Sequence, residues 1–275
     1  MSAKPFFIVS SGRSGTAMLQ KALSTAGDVE MHHEYMVQIT QPLAIKRYLG
    51  LVDADECRRA LADTYLSAAR YSSAQFWGDS SNKLSWLIPD LAALMPEAKF
   101  VHLVRDGRKV ASSYFHKLGA ECYDDISNAA MQAFYDDPAR IAPPPEKKYW
   151  WPVPRKTDAA AGPFRSFDQF QRIAWHWAEI NRIALVELSR LPASRTLFIK
   201  LEDLRSAPSS VRTLFEFLGL PYRDSDFAQF ARPHNVNRPE DRLLTAQQTA
   251  QFNALADGVM NQLGYAGTPE YVVNY

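Results

Sequence analysis

The stretch that decides the fold of this chain reads FFIVSSGRSGTAMLQKALSTAG, residues 6–27. Residues 6–9 are a short, wholly apolar run, which is typical of a strand buried on both faces. From Thr16 onward apolar side chains recur at the spacing of one helical face, which predicts a helix over 16–26 with Gly27 as its C-terminal cap. A buried strand, a glycine-bearing loop and a helix in this order predict one unit of an α/β fold.

The same alternation returns further along the chain. Residues 100–104 have the pattern of a strand and lead into a helix that ends near Lys117. Residues 196–199 have the pattern of another short buried strand, with a helix over 209–218 after it. Strands that alternate with helices pack as a mostly parallel sheet with helices on both faces. We therefore predict a single P-loop-like α/β domain over residues 1–275, with a central, mostly parallel sheet flanked by helices.

One segment, residues 120–165, interrupts this alternation. It contains three successive prolines at 143–145 and the run Tyr-Trp-Trp at 149–151. We predict an insertion over the edge of the sheet rather than a separate domain. It is either a lid or wall of an acceptor site, or a surface loop that its aromatic side chains anchor to the core. The sequence leaves both interpretations open.

The composition bounds the class of protein. The formal net charge is +1, which gives no reason to expect the clustered basic residues of a nucleic-acid-binding protein. The two cysteines, Cys57 and Cys122, are interpreted as free thiols in a reducing compartment. No apolar run approaches the roughly 20 residues that a membrane-spanning helix needs, and residues 1–5 lead into a strand instead of a signal peptide. These features predict a cytoplasmic protein without a membrane span and without a nucleic-acid partner.

The loop GRSGT, residues 12–16, has the chemistry of an anion site. The first backbone N–H groups of a helix have no intrahelical partner, and the helix dipole places partial positive charge there. Glycines let the backbone approach a phosphate or sulfate closely, while Arg13 adds a fixed charge and the hydroxyls of Ser14 and Thr16 add donors. A nucleoside triphosphatase loop would place a lysine before the final Ser or Thr, but Gly15 is followed directly by Thr16. The loop is therefore suited to an anion but not to ATP and magnesium.

A second segment, VHLVRDGRKVASS at residues 101–113, completes the predicted site. Arg105 stands at the end of a predicted strand, and Ser113 follows eight residues later, in the helix that comes next. A phosphate between the strand end and this helix can take a charge-assisted bond from Arg105 and a hydroxyl bond from Ser113. Because open α/β sheets bind ligands at the carboxyl ends of their strands, we expect this half-site to lie beside the loop at 12–16.

Both segments resemble one family. Residues 11–19 resemble the 5′-phosphosulfate-binding loop of sulfotransferases that use 3′-phosphoadenosine-5′-phosphosulfate (PAPS), particularly the tyrosylprotein and bacterial branches with Arg-Ser-Gly-Thr. Residues 101–113 resemble the family's 3′-phosphate-binding motif. The resemblance implies that Arg13 neutralises the bridging oxygen as the sulfuryl group leaves. It also implies a set of donor contacts: Gly12, Arg13, Ser14, Gly15, Thr16, Ala17, Arg105, Ser113 and, from a C-terminal region that closes over the nucleotide, Arg238.

Two other segments depart from the family's pattern. Residues 198–204 resemble its Tyr-Glu-Asp-Leu segment, but Leu201 stands where a tyrosine is common. The lysine of its Lys-Ser/Thr-Pro segment has no direct counterpart, because residues 78–82 occupy that place and Lys83 comes several residues late. The first departure bears on the nucleotide contact of that tyrosine, and the second bears on the acceptor side, not on the donor site.

The triplet His32-His33-Glu34 is predicted to supply the general base. It follows the first helix, where the next parallel strand would end beside the anion loop. Glu34 lies 21 residues after Arg13, which matches the general-base glutamate of the tyrosylprotein branch. We therefore take Glu34 as the first candidate, His33 as the second and His32 as the third. No metal site is predicted, because adjacent histidines on a strand point apart.

The predicted activity is transfer of a sulfuryl group from PAPS to a hydroxyl acceptor, with 3′-phosphoadenosine-5′-phosphate (PAP) as the product. The acceptor is a peptide tyrosine, a carbohydrate or another alcohol. One alternative is a nucleotide kinase-like phosphotransferase, which would need magnesium and a lysine in the loop. The other is a non-catalytic module that binds a sulfated or phosphorylated ligand, which would keep Arg13, Arg105 and Ser113 but tolerate loss of Glu34.

Overall fold

A five-stranded parallel sheet forms the centre of the computed structural model, which describes residues 3–231 and 243–269. The strand order is β2-β3-β1-β4-β5, and all four pairings between neighbours are parallel. The strands are β1 (Lys4–Val9), β2 (Val29–His33), β3 (Phe76–Ser81), β4 (Lys99–Val104) and β5 (Thr196–Lys200). The predicted α/β fold with a central parallel sheet is confirmed.

Helices connect the strands and cover both faces of the sheet. They are α1 (Thr16–Leu23), α2 (Val37–Tyr48), α3 (Ala54–Leu61), α4 (Ser67–Tyr71), α5 (Ile88–Leu94), α6 (Gly107–Lys117), α7 (Asp125–Asp136), α8 (Ala161–Phe164), α9 (Gln169–Leu188), α10 (Leu201–Ser206), α11 (Pro208–Leu218), α12 (Phe227–Ala231) and α13 (Ala246–Gln262). A π-helical turn spans Ala62–Leu66, and 3₁₀ turns span Asn82–Trp86, Lys147–Tyr149, Ala193–Arg195 and Asp224–Asp226.

The first helix is shorter than its apolar pattern predicts. It ends at Leu23, because the N–H groups of Thr25 and Ala26 bond to carbonyls only three residues earlier. This tighter turn is a common way to satisfy the last carbonyls of a helix. The predicted end at Ala26 with Gly27 as the cap was therefore wrong by three residues.

Two apolar layers, one on each face of the sheet, make up the core. Successive side chains of a strand point to opposite faces, so Phe7 and Val9 of β1 belong to one layer and Phe6 and Ile8 to the other. The layer that contains Phe7 is covered mainly by α6, α9 and α13, and the other by α1, α11 and α12. The apolar stripe of α9 lies in the first layer, as its periodicity predicts: Phe170, Ile173, Ala174, Trp177, Ile180 and Ala184.

Strand β3 has no clear local signal because half of its side chains are polar. All six of its residues are buried, including Asp79 and Ser80. Buried polar groups need partners, and Asp79 accepts hydrogen bonds from the backbone N–H of Tyr35 at 3.1 Å and from the hydroxyl of Tyr65 at 2.9 Å. Because both donors lie outside the strand, the segment's own pattern does not reveal that it is buried.

The aromatic side chains of the segment 120–165 fill the core. Trp150 and Trp151 are buried, and their indole N–H groups donate to the carbonyls of Pro144 at 2.8 Å and Glu121 at 2.7 Å. Gln41 of α2 donates to the carbonyls of both Lys147 and Trp150. The two tryptophans therefore anchor this segment instead of offering free faces to an acceptor.

Cys57 and Cys122 are both buried free thiols, as predicted. Among the helices within 3–231 and 243–269, none combines the length and apolar character that crossing a bilayer requires.

All the strands run in one direction, which collects their carboxyl ends at one edge. Val9 at the end of β1 lies opposite Ser81 of β3, and His33 at the end of β2 lies opposite Ser80. The connections that follow β1, β2, β3 and β4 therefore leave the sheet side by side. The candidate site is built from these four connections.

Candidate active site at the carboxyl edge of the sheet

The loop between β1 and α1 is folded by its own side chains. The hydroxyl of Ser10 accepts a hydrogen bond from the N–H of Gly12 at 3.0 Å, and Ser14 Oγ donates to the carbonyl of Gly12 at 3.0 Å. Gly12, Arg13 and Gly15 all have positive φ angles, of 78°, 53° and 90°. Glycine takes this conformation without strain, whereas a non-glycine residue such as Arg13 is uncommon there. Three residues with this backbone shape make a tight, concave loop.

The loop rests on Tyr114 of α6. The hydroxyl of Tyr114 donates to the carbonyl of Ser11 at 2.9 Å. A Cβ atom at Gly12 would lie only 2.0 Å from that hydroxyl oxygen. Gly12 is therefore required for two independent reasons, its left-handed backbone and its contact with Tyr114.

The N-terminus of α1 faces this concave loop. Gly15 is the N-cap residue, and no side chain among the described residues caps the helix. Its first N–H groups thus keep the donor capacity that an anion uses at a helix N-terminus. Ser14 and Thr16 are buried, and Ala17 is half-buried in the first turn. The residues that were predicted to bind the 5′-phosphosulfate lie next to one another in a single loop.

The second half-site meets this loop directly. Arg13 Nε donates to Ser113 Oγ at 3.0 Å, and Arg105 Nη1 donates to the carbonyl of Arg13 at 3.1 Å. Arg105 follows the end of β4, and Ser113 lies within α6, as the sequence predicts. The three side chains are brought together from positions up to 100 residues apart.

Glu202 of α10 holds the backbone that follows Arg105. Its Oε1 atom accepts a hydrogen bond from the N–H of Asp106 at 3.0 Å, and its Oε2 atom accepts one from the Tyr265 hydroxyl at 2.9 Å. Burial raises the pKa of this carboxyl group, while the bond to Asp106 opposes the rise. Leu201, which stands where a tyrosine is common in the resembling segment, packs under the loop, 2.7 Å from the position of a Cβ at Gly15. Sequence reasoning noticed this segment but did not foresee that it supports both half-sites.

Glu34 follows β2 and is held by two lysines. Lys147 Nζ lies 2.7 Å from each carboxylate oxygen of Glu34, and Lys83 Nζ lies 3.0 Å from its Oε1 atom. The backbone of Glu34 has a φ of 57°, and its N–H donates to the carbonyl of Ser80 in β3. The uncommon left-handed backbone thus turns the side chain of Glu34 at the end of the strand, where both lysines reach it.

The charges in this cluster shift one another's pKa values. Burial acts to raise the pKa of Glu34, but the charges and hydrogen bonds of Lys83 and Lys147 outweigh it and lower the pKa to about 2. Burial lowers the pKa of Lys83 to about 7, against the opposing effect of Glu34. With this arrangement Glu34 is ionised at neutral pH but weakly basic.

Neither lysine was among the residues predicted for the site. Lys83 is almost fully buried and lies in the 3₁₀ turn after β3, which brings it back to the site despite its late position in the sequence. In the sequence it follows four polar residues, Asp79–Asn82, so no local pattern marks it as buried. Lys147 comes from the segment 120–165, and no pattern in that segment indicates that one of its charged side chains reaches Glu34.

The two histidines before Glu34 have other partners. His33 Nδ1 lies 2.9 Å from the carbonyl oxygen of Ser80, which can only accept, so this nitrogen carries a proton. His32 Nε2 lies 2.9 Å from the carboxylate of Glu30. Neither bond involves Glu34. The role of either histidine as the general base therefore stays a prediction made from the sequence alone. The remaining predicted contact, Arg238, lies outside the described residues.

Residues 3–231 and 243–269 contain no cluster of three or more His, Cys, Asp or Glu side chains that could hold a metal ion. The charged groups of the site itself are mainly cationic, with Arg13, Arg105, Lys83 and Lys147 set against Glu34. A cationic site of this kind is suited to an anionic ligand.

Comparison with known proteins agrees with this description. A sequence profile described as the sulfotransferase family matches residues 5–143. A sulfotransferase from Mycobacterium avium has a TM-score of 0.51 and 12% identity, covering 95% of this chain and 77% of that one. The sulfotransferase domain of the Synechococcus PCC 7002 olefin synthase has a TM-score of 0.49 and 16% identity, covering 99% and 90%. A sulfotransferase from Alicyclobacillus acidocaldarius has a TM-score of 0.47 and 16% identity, covering 94% and 96%. No curated protein matches the chain.

The family assignment rests on the sequence profile. At 12% identity, the Mycobacterium avium structure shows only a shared fold. The profile covers slightly more than half of the chain and includes the anion loop, Glu34, Lys83, Arg105 and Ser113. This chain therefore belongs to the sulfotransferase family.

Proposed function

We propose that the protein transfers a sulfuryl group from PAPS to the hydroxyl of an acceptor. The observation that carries the proposal is the contact between the two half-sites, in which Arg13 bonds to Ser113 and Arg105 bonds to the backbone of Arg13. A ligand with an anionic group at each end of a short adenosine carrier fits two adjoining cationic half-sites. PAPS has this form, with its 5′-phosphosulfate and its 3′-phosphate.

Each part of the site would have a defined role with this donor. The loop 12–17 would bind the 5′-phosphosulfate through backbone N–H groups at the start of α1. Arg105 and Ser113 would bind the 3′-phosphate through a charge-assisted bond and a hydroxyl bond. Arg13 would neutralise the charge that develops on the bridging oxygen as the bond to sulfur breaks.

Glu34 is proposed as the group that takes the acceptor's proton. The acceptor oxygen forms a bond to sulfur while the bond from sulfur to the bridging oxygen breaks, and the hydroxyl proton passes to the carboxylate. Glu34 is ionised at neutral pH, as a base must be. Peptide tyrosine, carbohydrate and other alcohols are the acceptor classes we propose to test.

The binding of nucleotides distinguishes this proposal from a kinase-like phosphotransferase. Thermal shift is measured with PAP, with ATP and magnesium, and with an analogue of PAP that lacks the 3′-phosphate. We expect PAP to raise the melting temperature most and Arg105→Gln to remove the preference for the 3′-phosphate. Arg190→Gln, which changes a surface arginine paired with Glu187, serves as the control and should keep that preference. A larger shift with ATP and magnesium would contradict the proposal.

The role of Glu34 distinguishes an enzyme from a binding module. Transfer from 35S-labelled PAPS is measured on a panel that contains a tyrosine peptide, a disaccharide, a phenol and a simple alcohol. Glu34→Gln should keep PAP binding but lower turnover by about 10²–10⁴-fold, the usual contribution of a general base. Glu216→Gln on the exposed face of α11 should leave turnover unchanged. Full activity of the Glu34 variant would reassign the base, with His33 and then His32 as the next candidates.

A further inference from the structure

We infer that Lys147 is a positioning residue for Glu34, which it caps until an acceptor hydroxyl takes the place of its ammonium group. This inference rests on the proposed function of the same site. It assigns a role to the segment 120–165, which reaches Glu34 through this lysine. The role is to keep the carboxylate from activating water, so that the donor is not hydrolysed before an acceptor arrives.

The geometry of the carboxylate is the first argument. Lys147 Nζ lies 2.7 Å from both oxygens of Glu34, and Lys83 Nζ lies 3.0 Å from one of them. A general base must come within about 2.6–3.2 Å of the proton donor that it serves. Both oxygens already have a lysine partner at this distance. A hydroxyl group can approach in the same direction only after one of the ammonium groups has moved.

The burial of the two lysines shows which one moves. The side chain of Lys83 is 2% exposed, whereas that of Lys147 is 41% exposed. An exposed lysine changes rotamer readily and returns its ammonium group to water, while a buried one has nowhere to place its charge. Lys147 therefore lies on the solvent side of Glu34, the side from which an acceptor arrives.

The backbone of Lys147 is fixed, so only its side chain needs to move. Gln41 Nε2 donates to the carbonyl of Lys147 at 3.1 Å and to the carbonyl of Trp150 at 2.7 Å. Trp150 is buried beside this contact. The ammonium group is thus held at a constant position relative to α2 and can return to Glu34 after each turnover.

The other titratable groups near Glu34 come from three elements. Lys83 lies in the turn after β3, Tyr114 in α6, and His33 in β2 with its Nδ1 directed to Ser80. Of these groups only Lys83 bonds to the carboxylate. Removing Lys147 therefore leaves Glu34 with one partner, frees one carboxylate oxygen and strengthens the base, because an opposite charge within hydrogen-bonding distance lowers a carboxyl pKa.

The test uses hydrolysis of the donor, so that it needs no known acceptor. In this side reaction water forms a bond to sulfur, the bond to the bridging oxygen breaks, and a proton of the water passes to Glu34. The products are sulfate and PAP. Release of labelled sulfate from 35S-PAPS is measured without acceptor for the wild type, Lys147→Met, Lys147→Arg and Lys148→Met. Lys148 is the matched control, because its ammonium group lies over the ring of Tyr149.

The inference predicts that Lys147→Met releases sulfate at least about fivefold faster than the wild type, well within the contribution of a general base. Lys147→Arg restores the cap and should stay near the wild-type rate, as should Lys148→Met. Adding Glu34→Gln to Lys147→Met should abolish the gain, because the gain acts through the carboxylate. A rate equal to or below that of the wild type for Lys147→Met would overturn the inference, and so would a gain that survives in the double variant.

A second measurement is independent of the donor. The carboxyl resonance of Glu34 is titrated in protein labelled with 13C at glutamate, and its assignment is checked with Glu34→Gln. Lys147→Met should raise the pKa of Glu34 by about one pH unit or more, and Lys148→Met should leave it unchanged. An unchanged pKa in Lys147→Met would overturn the inference even if PAPS binds. Failure of the wild type to bind PAP would instead contradict the proposed function.

Discussion

The ion pairs of Glu34 predict a specific loss of stability in Glu34→Gln. The two lysines, against the effect of burial, hold the pKa of Glu34 at about 2 instead of 4.5. One pKa unit corresponds to about 1.4 kcal/mol, so the carboxylate contributes about 3 kcal/mol to the free energy of unfolding at neutral pH. The side chain is 21% exposed, so solvent screens this contribution only in part. We expect the free energy of unfolding of Glu34→Gln to be about 2–3 kcal/mol lower than that of the wild type at pH 7.

The dependence of this loss on pH follows from the sign of the pKa change. A carboxylate whose pKa is lower in the folded state adds stability that is complete above the unfolded value and disappears as the pH falls toward the folded value. The difference in the free energy of unfolding between the wild type and Glu34→Gln should therefore be smaller by about 1 kcal/mol at pH 4 than at pH 7. The assay is urea unfolding followed by tryptophan fluorescence at both pH values.

A surface glutamate provides the control for this measurement. Glu216 of α11 is exposed, and substitutions of exposed side chains usually change stability by about 0.5 kcal/mol or less. Glu216→Gln should change the unfolding free energy by less than about 1 kcal/mol at both pH values. If Glu34→Gln were as stable as the wild type at pH 7, or if its loss were the same at pH 4, the ion-pair reasoning would be refuted.

Three further predictions concern the same site. Burial lowers the pKa of Lys83 to about 7, so the folded state binds this proton less tightly than the unfolded state. The free energy of unfolding of the wild type, relative to that of Lys83→Met, should therefore rise by about 2 kcal/mol between pH 7 and pH 9, measured by urea unfolding. Gly12→Ala should weaken PAP binding about tenfold or more in calorimetry: a left-handed alanine costs about 1–2 kcal/mol and its Cβ would meet the hydroxyl of Tyr114, so the free loop leaves this conformation and binding must restore it. Gly162→Ala, where a Cβ meets no atom within 4 Å, should bind normally. Ser113→Ala should also weaken PAP binding about tenfold, since hydrogen bonds to charged groups contribute about 1.5–3 kcal/mol; unchanged affinity would remove Ser113 from the site.

The parts of the fold with a local pattern were predicted well. Strands β1 and β4 are short apolar runs, and α9 has a continuous apolar stripe, so each reveals its burial within its own residues. Strand β5 was recognised as a strand, but the prediction that it is buried was wrong: it is an edge strand in which only Ile199 is buried and Phe198 is exposed. Strand β3 was missed because Asp79 and Ser80 look like loop residues. Their burial depends on partners such as Tyr65, which the local pattern does not include.

The arrangement of the loop 12–17 beside Arg105 and Ser113 was predictable for a similar reason. A strand, a glycine-bearing loop and the start of a helix place backbone N–H groups toward an anion wherever they occur in this order. Arg105 and Ser113 have a fixed spacing across a strand end and a helix. The sequence alone therefore predicted that the loop 12–17, Arg105 and Ser113 lie at one edge of the sheet, and the structure added the contact of Arg13 with Ser113.

The surroundings of Glu34 were decided only by the tertiary structure. Its two partners, Lys83 and Lys147, lie 49 and 113 residues away in the sequence. Spacing over such distances has no geometric meaning until the chain is folded, because helical and strand periodicities relate only residues within the same element. The sequence determined that a carboxylate stands at the end of β2. The packing of the segment 120–165 against α2 and the turn after β3 decided which charges surround it, and hence how strong a base it is.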